Sequence, residues 1–255
     1  MIFYFSGTGN SKHIAERMAE LTGQQTKNVA DYYYDIKDGK DINIEVPESE
    51  ILGFVCPVHS WGLAKTMRRF LKKARFSYKG SRVFGICVCG DNCGKAREQY
   101  QELLAKSGIK FNFVCSVQMP NTYIVMKGFG TDSEELTQNK LQSAEKDLPL
   151  IADAILNGKT FDRYVAGTKP FLKGRIIYPL FMWLTMGDKK FSANASCIGC
   201  GLCEKNCPEH NIQLKNNRPE WLGHCVKCLS CIHRCPKQAI QYGDITQEMG
   251  RYFYK

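Results

Sequence analysis

Eight of the thirteen cysteines stand within 39 residues, in two runs with the same spacing. Each run reads C-x2-C-x2-C-x3-C-P, and the second begins 28 residues after the first. Three thiolates spaced in this way wrap a short loop around three corners of a 4Fe–4S cubane, and the fourth, beside proline, reaches a second cluster. The repeat therefore predicts a small domain folded around two clusters. Its cysteines are Cys197, Cys200, Cys203, Cys207, Cys225, Cys228, Cys231 and Cys235.

Zinc is the alternative metal for these cysteines, but it fits their spacing poorly. Structural zinc usually takes paired C-x2-C knuckles, which would leave the third cysteine of each run unused. The sequence shows no export signal, so we expect a cytoplasmic protein whose thiols stay reduced and free to bind metal. The longest apolar stretch, residues 176–186, contains Pro179 and is far shorter than the roughly 20 residues of a spanning helix. No transmembrane segment is expected.

The first 160 residues alternate between apolar runs and helical patterns. We predict strands near residues 2–5, 26–30, 51–56, 82–89 and 111–117, and helices near residues 11–21, 64–74, 95–106 and 133–156. The polar segment 31–49 reads as a loop or a poorly formed helix. This alternation predicts an α/β fold with a five-stranded parallel sheet covered on both faces. Ligands of such sheets bind at the carboxyl ends of the strands.

The turn after the first strand, FSGTGNSKHIA, has the composition of a phosphate site. It is not a Walker A loop, and Lys12 stands where a dinucleotide fingerprint needs its third glycine. Neutral hydroxyls and amides between two glycines, at the start of a helix, suit a monophosphate. A plain serine-capped turn would have a similar composition. The candidate residues are Ser6, Thr8, Gly9, Asn10 and Ser11.

This turn resembles the flavodoxin phosphate loop, [ST]-x-T-G-x-[ST]-x-x-x-A, and Ala15 completes the match. The resemblance implies FMN, gripped by two further loops. Trp61 is then the candidate ring that stacks on the flavin, with a core aromatic as the alternative, and residues 90–94 would supply backbone donors. Tyr123, in the segment 119–125, is a further candidate contact. The two loops contain Pro57, Val58, His59, Ser60, Trp61 and Gly62, and Cys89, Gly90, Asp91, Asn92, Cys93 and Gly94.

The cysteine repeat resembles bacterial 2×4Fe–4S ferredoxins over residues 192–242. By that resemblance one cluster is held by Cys197, Cys200, Cys203 and Cys235, and the other by Cys207, Cys225, Cys228 and Cys231. The whole chain resembles flavodoxin–ferredoxin fusion proteins. It would comprise a flavodoxin-like domain (residues 1–158), a connector (159–192) and a small α+β bacterial ferredoxin-like domain (193–255). The connector reads as a strap between the domains, with a flavin lid or a membrane-surface contact as alternatives.

The predicted function is electron transfer between FMN, the two clusters and redox partners. Two alternatives stay open: a reductase that binds a small substrate at the flavin, with His59 or Cys93 as its proton donor, and an iron–sulfur sensor or scaffold without turnover. Whether the chain is an enzyme is therefore left undecided. The formal charge of +10 is offset by about −2 per cluster, and no nucleic-acid signature is present. The predicted helix 64–74 carries a ridge of basic side chains, which would steer an acidic partner such as a ferredoxin, with a solvated helix face as the alternative. They are Lys65, Arg68, Arg69, Lys72 and Lys73.

Overall fold

Four buried apolar runs and one short polar strand in the first half of the chain form one parallel sheet. The computed structural model describes residues 1–168 and 187–255. The strands are β1 (Ile2–Tyr4), β2 (Thr26–Asn28), β4 (Leu52–His59), β7 (Val83–Cys89) and β8 (Phe113–Gln118). They lie in the order β2-β1-β4-β7-β8, and every pair is parallel. The predicted α/β fold with a five-stranded parallel sheet is confirmed.

Two helices cover each face of this sheet. On one face α1 (Asn10–Thr22) and α5 (Glu134–Leu156) share a core with Ile2 and Phe84. On the other, α3 (Lys65–Lys73) and α4 (Ala96–Ala105) share a core with Phe3 and Phe54. All four helices lie within two residues of their predicted bounds. The apolar spacing of 3 and 4 residues on each helix accounts for this agreement.

The segment 31–49 is more regular than its polar composition predicts. A short helix, α2 (Tyr33–Lys37), is followed by β3 (Ile42–Glu45). Strand β3 pairs in parallel with β6 (Ala74–Ser77), at the end of α3. The prediction of a loop or poor helix fits the short helix α2 but missed β3, where Ile42 and Ile44 alternate with polar residues and are buried.

Strand β4 does not end at Cys56, as the following proline led us to predict. It continues to His59 and turns back into β5 (Gly62–Leu63), so part of the predicted PVHSWG loop is a hairpin. Pro57 is accommodated in the sheet opposite Val88. The two turn residues both have positive φ, 51° at Ser60 and 68° at Trp61. Positive φ at both central positions is the geometry of a type I′ hairpin turn.

The second half of the chain is a small strand-rich unit, as predicted. Strand β9 (Phe191–Ala193) pairs antiparallel with β12 (Ile240–Tyr242), and β10 (Ile212–Lys215) with β11 (Arg218–Trp221). Two short helices, α6 (Leu202–Lys205) and α7 (Ser230–Arg234), each begin inside a cysteine run. A core of apolar residues, including Ile212, Ile232 and Ile240, lies between these elements.

The described part of the predicted connector packs against the first half. The carbonyl of Arg163 accepts from the backbone N–H of Ser116 (2.9 Å), and that of Val165 from Cys93 (2.8 Å). The apolar run 176–186 lies outside the described residues. The predictions of a strap, a flavin lid or a membrane-surface contact depended on this run. Within residues 1–168 and 187–255, no helix is both long enough and apolar enough to cross a bilayer.

Candidate flavin site and cysteine sets

A cavity of about 510 Å³ opens at the carboxyl ends of β1, β4 and β7. This is the edge of the sheet where the fold predicts a ligand. Thirteen of the seventeen predicted flavin-site residues line it. They are Ser6, Thr8, Asn10, Ser11, Pro57, Val58, His59, Ser60, Trp61, Cys89, Gly90, Asp91 and Asn92.

Four predicted residues do not line the cavity but shape the loops around it. Gly9, with φ 94°, is the residue before α1, and Gly62 opens β5. The thiol of Cys93 points toward the carbonyl of Cys87, 3.9 Å away. Gly94 packs against the backbone of Trp61, where a Cβ would collide. These four residues therefore support the cavity-lining residues without lining the cavity themselves.

The turn before α1 presents neutral donors at the end of a helix. Ser6 Oγ accepts from the backbone N–H of Gly9 (3.1 Å), and the Asn10 amide donates to the carbonyl of Pro120 (2.9 Å). The first turn of α1 contains no acidic residue. The Ser11 hydroxyl and Asn10 Oδ1 are buried, and the described residues give neither a hydrogen-bond partner. Buried polar atoms normally have partners, so this turn fits a bound phosphate.

Trp61 is placed at the cavity by a strained turn. Non-glycine residues rarely adopt positive φ, and such outliers concentrate at functional sites. Here Ser60 and Trp61 both do so, and both line the cavity. The carbonyl of Trp61 accepts from the backbone N–H of Lys95 (3.1 Å), which joins the hairpin to the start of α4. This geometry suits the proposed stacking on a flavin ring.

His59 lines the cavity in a neutral state. Burial lowers the pKa of its imidazole to about 4. The uncharged ring is a hydrogen-bonding group at neutral pH and a weak general acid.

A segment after β8 supplies another wall, and it includes most of the stretch 119–125 in which the sequence indicated Tyr123 as a contact. Residues 119–123, Met126 and Phe129 line the cavity. Asn121 anchors this segment, because its backbone N–H donates to Asp132 (3.0 Å), which also accepts from Lys140 (2.7 Å). Burial opposes the charge on Asp132, but Lys140 and Asn121 hold the pKa of this carboxyl below its usual value. The anchor is thus a buried ion pair that keeps the segment on the cavity.

The fourth wall comes from the second half of the chain, which the sequence did not predict. Residues 226–229, in the second cysteine run, line the cavity. A Cβ added at Gly7 would collide with the carbonyl oxygen of Cys228. The loop that carries the cysteines therefore packs directly on the predicted phosphate loop.

Two sets of four cysteines follow from their positions, and each set draws its fourth member from the other run. We call Cys197, Cys200, Cys203 and Cys235 the outer set, because together they line a second, small cavity. The thiols of Cys225, Cys228 and Cys231 each interact electrostatically with Cys207, and Cys231 also interacts with Cys203 of the outer set. We call these four the inner set, since Cys228 also lines the flavin cavity.

The inner set fits a cluster better than it fits free thiols. Burial raises the pKa of Cys225 to about 11, and raises those of Cys228 and Cys231 well above their usual value, with neighbouring cysteines adding to the effect. Four neighbouring thiolates need a compensating cation, which an iron–sulfur core supplies. Across residues 1–168 and 187–255, no three or more His, Cys, Asp or Glu side chains are placed to hold a single metal ion.

The positions of Cys207 and Cys235 give a direct test of the ligand sets. Replacing Cys235 with serine is expected to perturb the cluster of the first run, because Cys235 lines the cavity of Cys197, Cys200 and Cys203. Cys207→Ser is expected to perturb the cluster of the second run instead. Electron paramagnetic resonance of the two variants distinguishes the clusters. Damage to the cluster of each variant's own run would contradict the assignment.

A buried ion pair also joins the two halves. Glu209, only 1% exposed, accepts from Thr66 Oγ1 (2.5 Å) and pairs with Arg69, both on α3. The sequence placed Arg69 on an outward-facing basic ridge. That placement was wrong, because the second half covers this part of the helix. Lys65 and Lys72 remain exposed.

The last residues of the sequence form another contact between the halves. The backbone N–H of Tyr254 donates to the carbonyl of Thr8 (3.0 Å), and its ring stacks on His13. His233, on α7, lies 2.7 Å from the carbonyl of Thr122 and accepts from the backbone N–H of Tyr252 (3.2 Å). Burial lowers the pKa of His233 to about 4, so the neutral ring carries its proton on Nε2. Helix α7 is thereby joined both to the segment after β8 that lines the cavity and to the last residues of the sequence.

Comparison with family models assigns both halves. Residues 1–128 match a model described as "Flavodoxin domain", and residues 196–249 match one described as "4Fe-4S dicluster domain". The first match covers half of the chain, so the chain belongs to the flavodoxin domain family. It combines that domain with a 4Fe–4S dicluster domain, and its cofactors are FMN and 4Fe–4S clusters. Both kinds of domain serve electron transfer.

Individual relatives match shorter stretches. A polyferredoxin of Methanothermus fervidus is 39% identical over 57 residues, covering 21% of this chain and 13% of the relative. An uncharacterised protein of Methanocaldococcus jannaschii is 33% identical over 51 residues, 20% of each chain. The alignments thus span a fifth or less of these curated relatives.

Two solved structures are similar over part of the chain. The Trp repressor binding protein of Bacillus subtilis is 15% identical with a TM-score of 0.38, over 64% of this chain and 100% of its own. An NAD(P)H:quinone oxidoreductase of Methanothermobacter marburgensis is 12% identical with a TM-score of 0.37, over 59% and 94%.

Proposed function

We propose that this chain is an electron carrier in which FMN and two 4Fe–4S clusters form one short redox path. The observation that carries the proposal is the shared wall: the loop of the inner cysteine set lines the flavin cavity and packs on Gly7. When bound, FMN exchanges one or two electrons and each cluster exchanges one. The clusters held by the inner and outer sets are called the inner and outer cluster below. We further propose the domain bounds 1–158, 159–192 and 193–255.

The residues around the flavin cavity and between the two halves then have distinct roles. Thr8, Asn10 and Ser11 hold the phosphate through neutral donors at the start of α1, and Trp61 stacks on the ring. The segment 119–129 and the loop 226–229 close the remaining sides and exclude water. The ion pair of Arg69 and Glu209 fixes the distance between the halves. Cross-ligation by Cys207 and Cys235 ties the inner and outer sites into one rigid unit.

A substrate reductase finds less support at this site. Of the two proposed proton donors, Cys93 does not line the cavity, and its thiol points toward the carbonyl of Cys87. Burial lowers the pKa of His59 to about 4, which leaves the ring uncharged at neutral pH. A reductase would need a proton source at the flavin. A carrier needs only that the flavin and a cluster be close.

Anaerobic assay and reductive titration test the proposal. We expect one FMN, about eight irons and eight sulfides, and an uptake of about four electrons per chain. Protein partners should reoxidise the reduced chain faster than small planar acceptors do. Clusters without flavin would favour a sensor or scaffold, and tightly bound zinc without sulfide would exclude the ferredoxin assignment. Faster turnover with a small acceptor would favour the reductase.

The outer set offers the place where a partner would dock. Ile198 and Leu202 are 61% and 39% exposed beside the exposed Cys200. Lys205, Arg218 and Lys237 are exposed there as well. The described residues give these three no ion pair, and residues 169–186 contain no carboxylate. An apolar centre with a basic rim fits an acidic carrier protein.

Charge reversal at two places locates the docking surface. We expect Lys205→Glu with Lys237→Glu to slow electron transfer to an acidic ferredoxin and to abolish most of its salt dependence. The matched control is Lys65→Glu with Lys72→Glu on the exposed part of α3, which makes the same change of charge. Stopped-flow rates across ionic strength provide the measurement. A larger effect of the α3 pair would place docking on the basic ridge that the sequence suggested.

A further inference from the structure

The two cysteine loops share one backbone shape but not the residues that suit it. In the first run, Gly199 and Gly201 have φ of 66° and 75°. The residues 28 positions later, Lys227 and Leu229, have φ of 51° and 60°. Positive φ is easy for glycine and strained for residues with a side chain. The second loop thus keeps two side chains at positions where glycine would be less strained, and both line the flavin cavity.

Lys227 is the more unusual of the two, because it is a buried cation. The residue is only 7% exposed. Its ammonium donates to the hydroxyl of Tyr242 (2.6 Å) and lies 4.5 Å from the centre of the same ring. Neither contact supplies negative charge.

No carboxylate of the chain neutralises this ammonium. None of the ion pairs among residues 1–168 and 187–255 includes Lys227. Residues 169–186 contain no aspartate or glutamate. A buried charge without an ion-pair partner is costly, so negative charge near Lys227 would stabilise the ammonium.

The surroundings of Lys227 show where that charge would come from. The residue stands between Cys225 and Cys228, and its backbone N–H donates to Cys225 Sγ (3.3 Å). Four thiolates on a 4Fe–4S core leave a net charge of about −2. The Lys227 side chain also acts electrostatically on the Cys225 thiol, and the residue lines the wall that the predicted anionic cluster shares with the flavin cavity.

We propose that Lys227 is the fixed counter-charge of the inner cluster and makes this cluster easier to reduce than the outer one. The proposal rests on the inner set holding a cluster, as in the proposed function. Each electron adds one negative charge to the cluster, so a nearby cation stabilises the reduced form more than the oxidised form. At the corresponding position of the first run stands Gly199, which carries no charge. The difference would favour electrons on the cluster nearer the flavin.

Redox titration followed by electron paramagnetic resonance tests this assignment in the anaerobic holoprotein. In Lys227→Met we expect the ratio of reduced to oxidised inner cluster to fall about tenfold at fixed potential, a shift of 59 mV for one electron. Lys227→Gly copies Gly199 and removes both charge and strain, and it should show the same shift. Tyr242→Phe keeps the charge and should shift the potential little. Lys237→Met removes an exposed charge, whose effect should be small and screened by salt.

Each outcome has a distinct meaning. An unchanged inner-cluster potential in both Lys227 variants, with cluster and FMN content intact, would overturn the role of Lys227 and leave the proposed function standing. An equal shift in Lys237→Met would overturn it too, since any cation would then suffice. Loss of the inner cluster in Lys227→Gly would assign the lysine to assembly and not to the potential. Absence of an inner-cluster signal in the parent protein would instead contradict the proposed function.

Discussion

Replacing Gly7 with alanine is expected to slow electron transfer between the flavin and the inner cluster steeply, while FMN and both clusters remain bound. A Cβ at this position would collide with the carbonyl oxygen of Cys228, so the cysteine loop must move away from the phosphate loop. Gly7 does not have positive φ, and the substitution therefore adds no backbone strain. Because electron tunnelling decays exponentially with distance, even a small displacement has a large effect on the rate. Laser-flash reduction of the flavin, followed at cluster wavelengths, measures it.

Gly130→Ala is the matched control for this experiment. A Cβ at Gly130 would meet no atom within 4 Å, and this glycine also lacks positive φ. Its transfer rate should equal that of the parent protein. A parental rate in Gly7→Ala with full cofactor content would mean that the contact between Gly7 and Cys228 does not set the separation of the centres.

Arg69→Met is expected to lower the free energy of unfolding by about 2–3 kcal/mol, because it leaves the buried carboxylate of Glu209 without its cation. The estimate lies below the usual range for a broken buried pair, since Arg69 is 32% exposed and water screens part of the interaction. Urea unfolding of the anaerobic holoprotein measures the change. The two halves should also separate first, which would slow flavin-to-cluster transfer before the flavin domain unfolds.

Two further variants isolate the ion pair. Lys72→Met removes an exposed cation from the same helix and should change stability by less than about 0.5 kcal/mol. Adding Glu209→Met to Arg69→Met should restore most of the lost stability, because apolar pairs often replace buried ion pairs at little cost. Equal losses in Arg69→Met and Lys72→Met would show that Glu209 does not depend on Arg69.

The parallel sheet and its helices could be predicted because each element carries its own local pattern. Buried strands such as β7 are continuous apolar runs, and α3 shows helical spacing. The pair of β3 and β6 could not be predicted in this way. Each of these strands has four residues and finds its partner about thirty residues away. The hairpin turn at Ser60 and Trp61 could not be predicted either, because neither residue is typical of a turn with positive φ.

The flavin site could be predicted only where its residues follow strands of the sheet. The three loops after β1, β4 and β7 meet at one edge, as the topology requires. The loop 226–229 reaches the same cavity only because the second half docks on α3 and on Gly7. Neither contact has a sequence signature. The two glycines replaced by Lys227 and Leu229 in the repeat are the one signal that, in retrospect, marks this loop as different.

The order in which the centres are reduced tests the shared redox path most directly. Flavin in the anaerobic holoprotein is photoreduced by a laser flash, and samples frozen at successive times are examined by electron paramagnetic resonance. Because Cys228 lines the flavin cavity and Cys200 of the outer set is exposed, we expect the inner cluster to be reduced first, at a rate independent of protein concentration, and the outer cluster to follow. Cluster reduction whose rate rises in proportion to protein concentration, or an outer cluster reduced before the inner one, would contradict a path that runs within one chain.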